Sequence, residues 1–385
     1  MPRSTGRYVE TSTHGERTRA FVPYPLPPAK PPLVVTEKIA TLHTAAQMSL
    51  ARLSVSAAMV PSTAWFRYGF VRKEAVLTSQ IEGTQATLRD VLTYEATHQS
   101  DRVDVVEEVC NYVDALTSAR KQLAAPRGLP LSIRLLFEAH RRLMRGARGA
   151  TKQPGEVRRS QNWVGGTRPG NARFVPPPPE EVAGALASLE RWIHSDDPLP
   201  PLIKAGLAHA QFETIHPFLD GNGRIGRLLI ALLVEHWSVL SQPLLYVSVA
   251  LRRHQQEYYA RLAAVRTDGD WEGWTAFFLE CIRESAEDGV RVAQALHSLL
   301  ARDRERVVRH QRATVAAIQL LDQLPTRPLI TVPAAAKALR LTSPPARKAI
   351  ELLASLRVLR ETTGKQRDRV YGYHDYLRIL TGEAD

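Results

Sequence analysis

The 385-residue sequence predicts a mainly α-helical protein with one short β-hairpin and a C-terminal unit that mixes helices and strands. Three observations carry that reading. Apolar residues recur three and four positions apart through most of the chain, the period of a helix with one buried face. Two-residue alternation is rare. Proline and glycine gather at a few points and cut the helical pattern into ordinary lengths. With 44% apolar and 23% charged residues the chain can bury a sizeable core. At roughly 150 residues per domain, its length suggests two or three units.

Taken in order, residues 1–35 read as an extended arm, polar and then proline-rich, with Pro23, Pro25, Pro27, Pro28, Pro31 and Pro32 close together. No helix sustains that proline density. Residues 36–125 form an N-terminal helical region, with helical patterns near 36–57, 65–97 and 104–124; a further one at 131–146 opens the next unit. Gly128-Leu-Pro130 and Gly146–Gly149 punctuate them. Between 150 and 180 the pattern changes. Gln161–Val164 and Ala172–Val175 are short extended runs around Arg168-Pro-Gly-Asn171, whose Pro-Gly pair suits a type II turn. This predicts a β-hairpin, ended by Pro176–Pro179. Helices resume at 180–195, 201–215, 223–240 and 249–266, so 126–270 reads as one core and 271–310 as connecting helices.

Residues 311–385 carry 12 Lys+Arg against 7 Asp+Glu. Leu329–Leu339 reads as a helix entered through Thr331, and Arg340–Thr342 as a turn. A second helix follows, with Ser343 as N-cap and Pro344 at its first position. Ala349, Ile350, Leu353 and Leu356 give it an apolar face. Val358–Thr362 and Arg369–Tyr373 read as strands around Gly364–Arg367. That order resembles a winged helix-turn-helix. Arg347 and Lys348 on the second helix, with Lys365, Arg367 and Arg369 on the wing, suit phosphate and base-edge contacts, which makes DNA a candidate partner.

The formal net charge is +12, which favours phosphate-bearing partners. Only two cysteines, Cys110 and Cys281, are present, so a disulfide-stapled scaffold and an all-cysteine zinc site are excluded. The first residues lack the apolar stretch of a secretory signal. The longest clean apolar run, Leu228–Val234, is far shorter than the ~20 residues of a membrane span. A soluble, cytoplasmic protein without membrane partners is expected.

The chemistry lies in His216-Pro-Phe-Leu-Asp220-Gly-Asn-Gly-Arg224-Ile-Gly-Arg227. Pro201–Ile215 reads as a helix ending before Pro217, and the apolar run after Arg224 reads as a central helix. The intervening glycines let successive N–H groups converge as an anion nest at a helix N-terminus. Arg224 and Arg227 share one helix face and can fork onto phosphate oxygens. Asp220 suits Mg²⁺ beside phosphate. His216 stands at the loop entrance, where it can take a proton from a nucleophile. The GxxxxGK[ST] pattern is absent, so this is no P-loop.

The segment resembles the signature of the Fic (filamentation) family, HxFx[DE]GNGRxxR, at every specified position. Gly155-Glu-Val-Arg158 with Asn162-Trp-Val164 resembles the family's GxxR element, and the hairpin ending Phe174-Val-Pro-Pro-Pro resembles its flap. Phe21-Val-Pro-Tyr-Pro-Leu-Pro-Pro28 resembles the N-terminal arm of a bacterial subgroup. The resemblance implies a helical-bundle core that transfers AMP from ATP, with Mg²⁺, to a Ser, Thr or Tyr hydroxyl of a target protein, the chain itself being one candidate. It implies His216 as general base, Phe218 as the loop's anchor in the core and Asp220 as the Mg²⁺ ligand. Asn222 and Gly223 would form part of the hole for the α-phosphate, within a nucleotide loop that also contains Gly221 and Gly226. Arg224 would meet the β-phosphate and Arg227 the γ-phosphate. Arg173, Phe174 and Val175 would belong to the flap that docks the target.

Thr78-Ser-Gln-Ile-Glu82-Gly83 resembles the family's inhibitory motif [ST]xxxE[GN], placed upstream of the catalytic segment. Glu82 paired with Arg227 would occupy the fork meant for the γ-phosphate and leave ATP misaligned. A misplacement of about 1 Å can cost roughly a hundredfold in rate. Other Fic-type transfers, removal of AMP, and a DNA-binding regulator using the core as a nucleotide sensor remain alternatives, and a homodimer is open. His209, Glu213 and His216 share a helix face but read as structural groups rather than a zinc site. His254–Tyr259 is read equally as pocket lining and as helix packing.

Overall fold

Two helices buried nearly all round, α7 (Pro201–Ile215) and α8 (Asn222–His236), form the centre of the protein. Their sequences explain the position. Ile203 to Ile215 and Ile225 to Val234 offer apolar or small side chains on every face, and a helix of that kind is stable only when surrounded. The computed structural model describes residues 3–59, 62–100, 102–146, 151–240, 242 and 244–382. Ala147–Gly149, part of one expected break, lie outside the described residues.

Before the centre come α1 (Glu37–Ala58), α2 (Thr63–Ile81), α3 (Leu88–Thr97), α4 (Val103–Ala124), α5 (Ile133–Leu143) and α6 (Pro179–Ile193). After it come α9 (Ser248–Arg253), α10 (Gln255–Thr267) and α11 (Trp271–Val308). The expected 65–97 helix is two helices, because the chain turns at Glu82-Gly83, where Gly83 has φ +92°. A capping box between Thr87 and Asp90 then starts α3. The expected 249–266 helix likewise breaks at His254, and the 223–240 helix ends at His236.

The connecting helices expected over 271–310 are one 38-residue helix. Its side chains at Trp274, Phe278, Ile282 and Leu296 are buried, and it packs along α1. Trp274 Nε1 donates to the Gly206 carbonyl at 2.9 Å, which ties α11 to α7.

The arm is not merely extended. Residues 6–23 pair as an antiparallel hairpin, β1 (Gly6–Thr13) with β2 (Glu16–Pro23), from Gly6 opposite Pro23 to Thr13 opposite Glu16. The turn is His14-Gly15, both at positive φ (+50° and +79°), the pattern of a two-residue primed turn. Ala20, Phe21 and Val22 are buried, and the Phe21 N–H donates to the Val175 carbonyl at 2.9 Å. The hairpin expected over 161–175, in turn, reduces to one antiparallel bridge, Val164 with Phe174. Its tip is a 3-10 turn over Pro169–Asn171 rather than a type II turn. Asn171 Oδ1 accepts from the Thr167 and Arg168 N–H groups, and Glu16 accepts from the Gly170 N–H at 2.8 Å. Side chains take the place of a strand ladder there.

The C-terminal unit contains α12 (Val315–Gln323), β3 (Leu329–Thr331), α13 (Val332–Leu339), α14 (Ser343–Ser355), β4 (Arg360–Glu361), β5 (Val370–Gly372) and α15 (His374–Thr381). The sheet is antiparallel in the order β3-β5-β4. Thr331 caps α13 as expected, its side chain accepting from Ala334 N–H. Thr342, not Ser343, holds the N-cap place of α14, and Ser343 is the first helical residue. Both β3 and α15 add to the expected order. The unit rests on α2: Leu380 packs on Gly69, and the Tyr376 hydroxyl donates to the carbonyls of Pro325 (2.9 Å) and Trp65 (3.4 Å). Among the described residues no helix is long and apolar enough to cross a membrane.

Candidate active site

The loop between α7 and α8 is shaped by its ends. His216 closes α7 in the left-handed region, φ +50°, which turns the chain sharply away from the helix. Gly221 caps the start of α8 at φ +79°, where a Cβ would lie 3.1 Å from Met144 Sδ and 3.3 Å from Leu143 at the end of α5. Between them Phe218 is fully buried and stacks on His140, ring centroids 3.7 Å apart and planes 8° apart. Asn222 fastens the loop. Its Oδ1 accepts from Phe218 N–H and its Nδ2 donates to the Phe218 carbonyl, both at 2.8 Å. The Asn222 side chain is therefore occupied in holding the loop, in place of the phosphate contact expected of it.

Two more residues lock the loop. Arg158, buried, donates through Nε to the His216 carbonyl (2.9 Å) and through a second nitrogen to the Pro177 carbonyl (2.5 Å). His140 Nδ1 accepts from Gly155 N–H at 2.8 Å, which leaves Nε2 as the donor to the Asp220 carbonyl at 3.0 Å. Burial pushes the His140 pKa down to about 4, consistent with that neutral tautomer.

His216 Nδ1 lies 3.3 Å from the Glu213 carbonyl, which orients the ring. Burial and then the Arg158 cation push its pKa down to about 4, so the imidazole is neutral at pH 7 and can accept a proton. Asp220 is exposed. Its Oδ1 accepts from Gly221 N–H at 2.5 Å and lies 3.3 Å from Arg224. A cavity of about 250 Å³ opens beside it, lined by Glu82, Glu107, Glu108, Met144 and Arg224 among others. The described residues contain no cluster of three or more His, Cys, Asp or Glu groups placed to hold a metal.

Both arginines of the motif meet carboxylates. Arg227, 1% exposed, donates to Glu82 Oε1 at 2.6 Å, to Thr78 Oγ1 at 2.6 Å and to the Thr78 carbonyl at 3.1 Å. Arg224, 6% exposed, pairs with Glu108 of α4, while its buried Nε has no hydrogen-bond partner among the described residues. Thr84, just past the turn at Gly83, donates to Glu108 at 3.0 Å. Glu82 also covers the N-terminus of α8. A Cβ on Gly223 would lie 2.1 Å from its Oε1. The end of α2 is held by Gln255 and Tyr259, which donate to the Ile81 carbonyl at 2.9 and 3.4 Å. His254–Tyr259 thus packs against the Glu82 turn through those two residues.

Gly226 lets α8 approach α7 closely, since a Cβ there would lie 2.3 Å from Glu213 Oε1. His209 is buried and Glu213 half-buried beneath it, and His209 Nε2 meets the Tyr258 hydroxyl at 2.9 Å. Burial raises the Glu213 pKa to about 7. Of the flap residues, Val175 is buried against β2, Phe174 lies under Arg266, and Arg173 is exposed with its N–H on the Val164 carbonyl. Sequence reasoning missed His140 and Glu108. No local pattern marks them, since each reaches the loop from a separate helix.

The profile of the Fic/DOC family matches residues 130–234, and that of the Fic/DOC family N-terminal region matches 40–121. The protein adenylyltransferase Fic of Drosophila erecta is 28% identical over 212 residues, covering 54% of this chain and 39% of the relative. The chain thus matches about two fifths of the length of that curated relative. Among solved structures, a Fic family protein from Desulfovibrio desulfuricans superposes with a TM-score of 0.57 at 22% identity, covering 92% of this chain and 99% of that one. A Fic domain containing signalling protein from Bacteroides thetaiotaomicron gives 0.51 at 19% identity, covering 67% and 97%. At those identities the structures speak for the fold alone. Fold, motif and both sequence profiles agree: residues 130–234 match the Fic/DOC family, residues 40–121 match its N-terminal region, and the fold is that of Fic proteins.

Proposed function

We propose that this protein transfers AMP from ATP to a Ser, Thr or Tyr hydroxyl of a target protein, and that Glu82 holds the reaction off. The observation that carries the reading is the Glu82–Arg227 pair, set in an otherwise assembled site. The name printed for the Drosophila relative, protein adenylyltransferase, supports the same activity here.

The chemistry follows from the chain's own groups. Neutral His216 accepts the proton as the target oxygen attacks the α-phosphorus, and the bond to pyrophosphate breaks in line. The N–H groups at the start of α8 face the charge that develops on the α-phosphate. Arg224 and Arg227 orient the leaving phosphates. Asp220, an exposed carboxylate beside a cavity that Glu82, Asp104, Glu107 and Glu108 also line, would fit an Mg²⁺ that takes most of its ligands from phosphate and water. Such an ion would supply charge neutralisation on the phosphates. The orphaned Nε of Arg224 fits an anion arriving there.

Two carboxylates compete with that nucleotide. Glu82 occupies Arg227 and Glu108 occupies one terminal nitrogen of Arg224, so those nitrogens meet phosphate only after their partners move. Incubation of the Glu82→Gly protein with ATP labelled at the α- or γ-position tests the reaction. Label on protein from the α-position only is expected. Label from the γ-position would mean phosphate transfer instead.

A second activity is proposed for the C-terminal unit. Arg347 and Lys348 of α14 and Lys365, Arg367 and Arg369 of the β4–β5 turn are all exposed, which supports a winged helix that binds DNA.

A further inference from the structure

We propose that the groove between the N-terminal hairpin and the flap binds an acidic stretch of the target polypeptide next to its acceptor hydroxyl. The proposal rests on the AMP-transfer reading and adds the substrate's chemistry to it. The groove has a volume of about 500 Å³ and is walled by β1, β2, residues 169–175 and the end of α10. It shares no lining residue with the cavity beside Asp220 and Arg224, so it is distinct from the phosphate side of the site.

Its charge is one-sided. Arg17, Arg19, Arg173 and Arg266 line it against a single carboxylate, Glu10, which stands 3.7 Å from Arg19. The side chains of Arg17, Arg173 and Arg266 have no ion pair or hydrogen bond among the described residues. Nearby carboxylates are spent elsewhere: Glu16 on Arg168 and Gly170, and Glu181 on Arg7.

Arg266 is the most informative of these. Its guanidinium lies 4.0 Å over the Phe174 ring, largely shielded from water. Burial lowers its pKa to about 10, which still leaves it charged at pH 7. Arg266 forms no ion pair, and the one carboxylate that acts on it, Glu213, has its own pKa raised to about 7 by burial and so is only partly charged at pH 7; an anion docking beside Arg266 offsets the cost of shielding it. The flap wall of the groove runs from Phe174 and Val175 to Pro177, whose carbonyl accepts from the same Arg158 side chain that donates to the His216 carbonyl, so the groove's wall is tied to the base. Tyr8, Phe21 and Phe174 add apolar wall for the rest of a peptide. A polypeptide with Asp or Glu near the acceptor meets all of these features at once.

The test uses the full-length Glu82→Gly protein and three fluorescent peptides with one central serine, flanked by Asp/Glu, by Gly/Ser or by Lys. Anisotropy without ATP reads binding, and mass spectrometry with Mg²⁺ and ATP reads transfer. The acidic peptide is expected to bind about tenfold more tightly than the neutral one at low salt, with the advantage shrinking as salt rises. Adding Arg17→Glu and Arg266→Gln should reduce that advantage to about twofold or less, and Arg17→Lys should retain most of it. Thermal melting checks the fold. If Arg266→Gln destabilises the protein, the exposed Arg17→Glu alone carries the comparison. Equal binding of the three peptides, or an acidic preference indifferent to Arg17, overturns the proposal. Acid-selective binding with no AMP transferred would remove the transfer reading and leave the groove. Transfer to all three peptides alike would do the reverse.

Discussion

At the scale of single residues the site balances stability against activity. Arg227 is buried, and Glu82 is its only carboxylate hydrogen-bond partner among the described residues. Glu82→Gly leaves the guanidinium with Thr78 alone. Breaking a buried pair costs several kcal/mol, but Glu82 is one-third exposed, so a loss of about 1–2 kcal/mol is expected. Saturating ATP should recover much of it, since a ligand that binds only the folded state stabilises by mass action. Denaturant unfolding with and without ATP checks both parts. Burial and Arg158 hold the His216 pKa near 4, and Arg266 lowers it further while the Glu213 carbonyl and Glu82 raise it. A base whose pKa is lowered stays deprotonated as pH falls. The kcat/KM of the Glu82→Gly enzyme should therefore lose its base-dependent activity only as pH approaches about 4, not through 6.5. A pH profile of AMP transfer between about 4 and 8, with folding followed in parallel, measures this.

At the scale of elements the helices were legible and most of the β-structure was not. Burial periodicity places α4, α5, α6, α7 and α11 within a few residues, because each keeps one continuous apolar face or is apolar throughout. The first hairpin was hidden because β1 is mostly exposed and polar, so only the His14-Gly15 turn and the run Ala20–Val22 signalled it. The flap misled in the other direction. Its two runs meet only at the Val164–Phe174 bridge, and Glu16 and Asn171 hold its tip where a ladder was expected. Around the motif, the loop between two helices was legible, whereas Glu108, His140 and Gln255 come from other helices and only folding brings them there. The element α14 carries its own prediction. If it enters a DNA groove, Arg347→Glu with Lys348→Glu should weaken DNA binding across sequences and flatten its salt dependence by about two contacts' worth. A gel-shift titration in salt reads this, and unchanged binding would remove α14 from the interface.

At the scale of the whole molecule, the Glu82 turn is where several parts meet. The chain's N-terminal half supplies α2, which ends at Glu82. The core supplies Arg227. Gln255 and Tyr259 hold the last carbonyl of α2, and the C-terminal unit rests on that helix at Gly69 and Trp65. The rigid loop fixed by Arg158, His140 and Asn222 keeps the catalytic groups assembled while the two arginines are occupied. The proposed function is therefore that of a site assembled for AMP transfer and held off by the carboxylates on Arg224 and Arg227. The most direct measurement is the intact mass of wild type, Glu82→Gly and Glu82→Gly/His216→Ala, each incubated with Mg²⁺, ATP and lysate proteins, with modified peptides then located. The account predicts AMP-sized additions that are scarce with wild type, rise with Glu82→Gly and vanish when His216→Ala is added. Additions equal in all three proteins, or absent from a folded, ATP-binding Glu82→Gly protein, would contradict it.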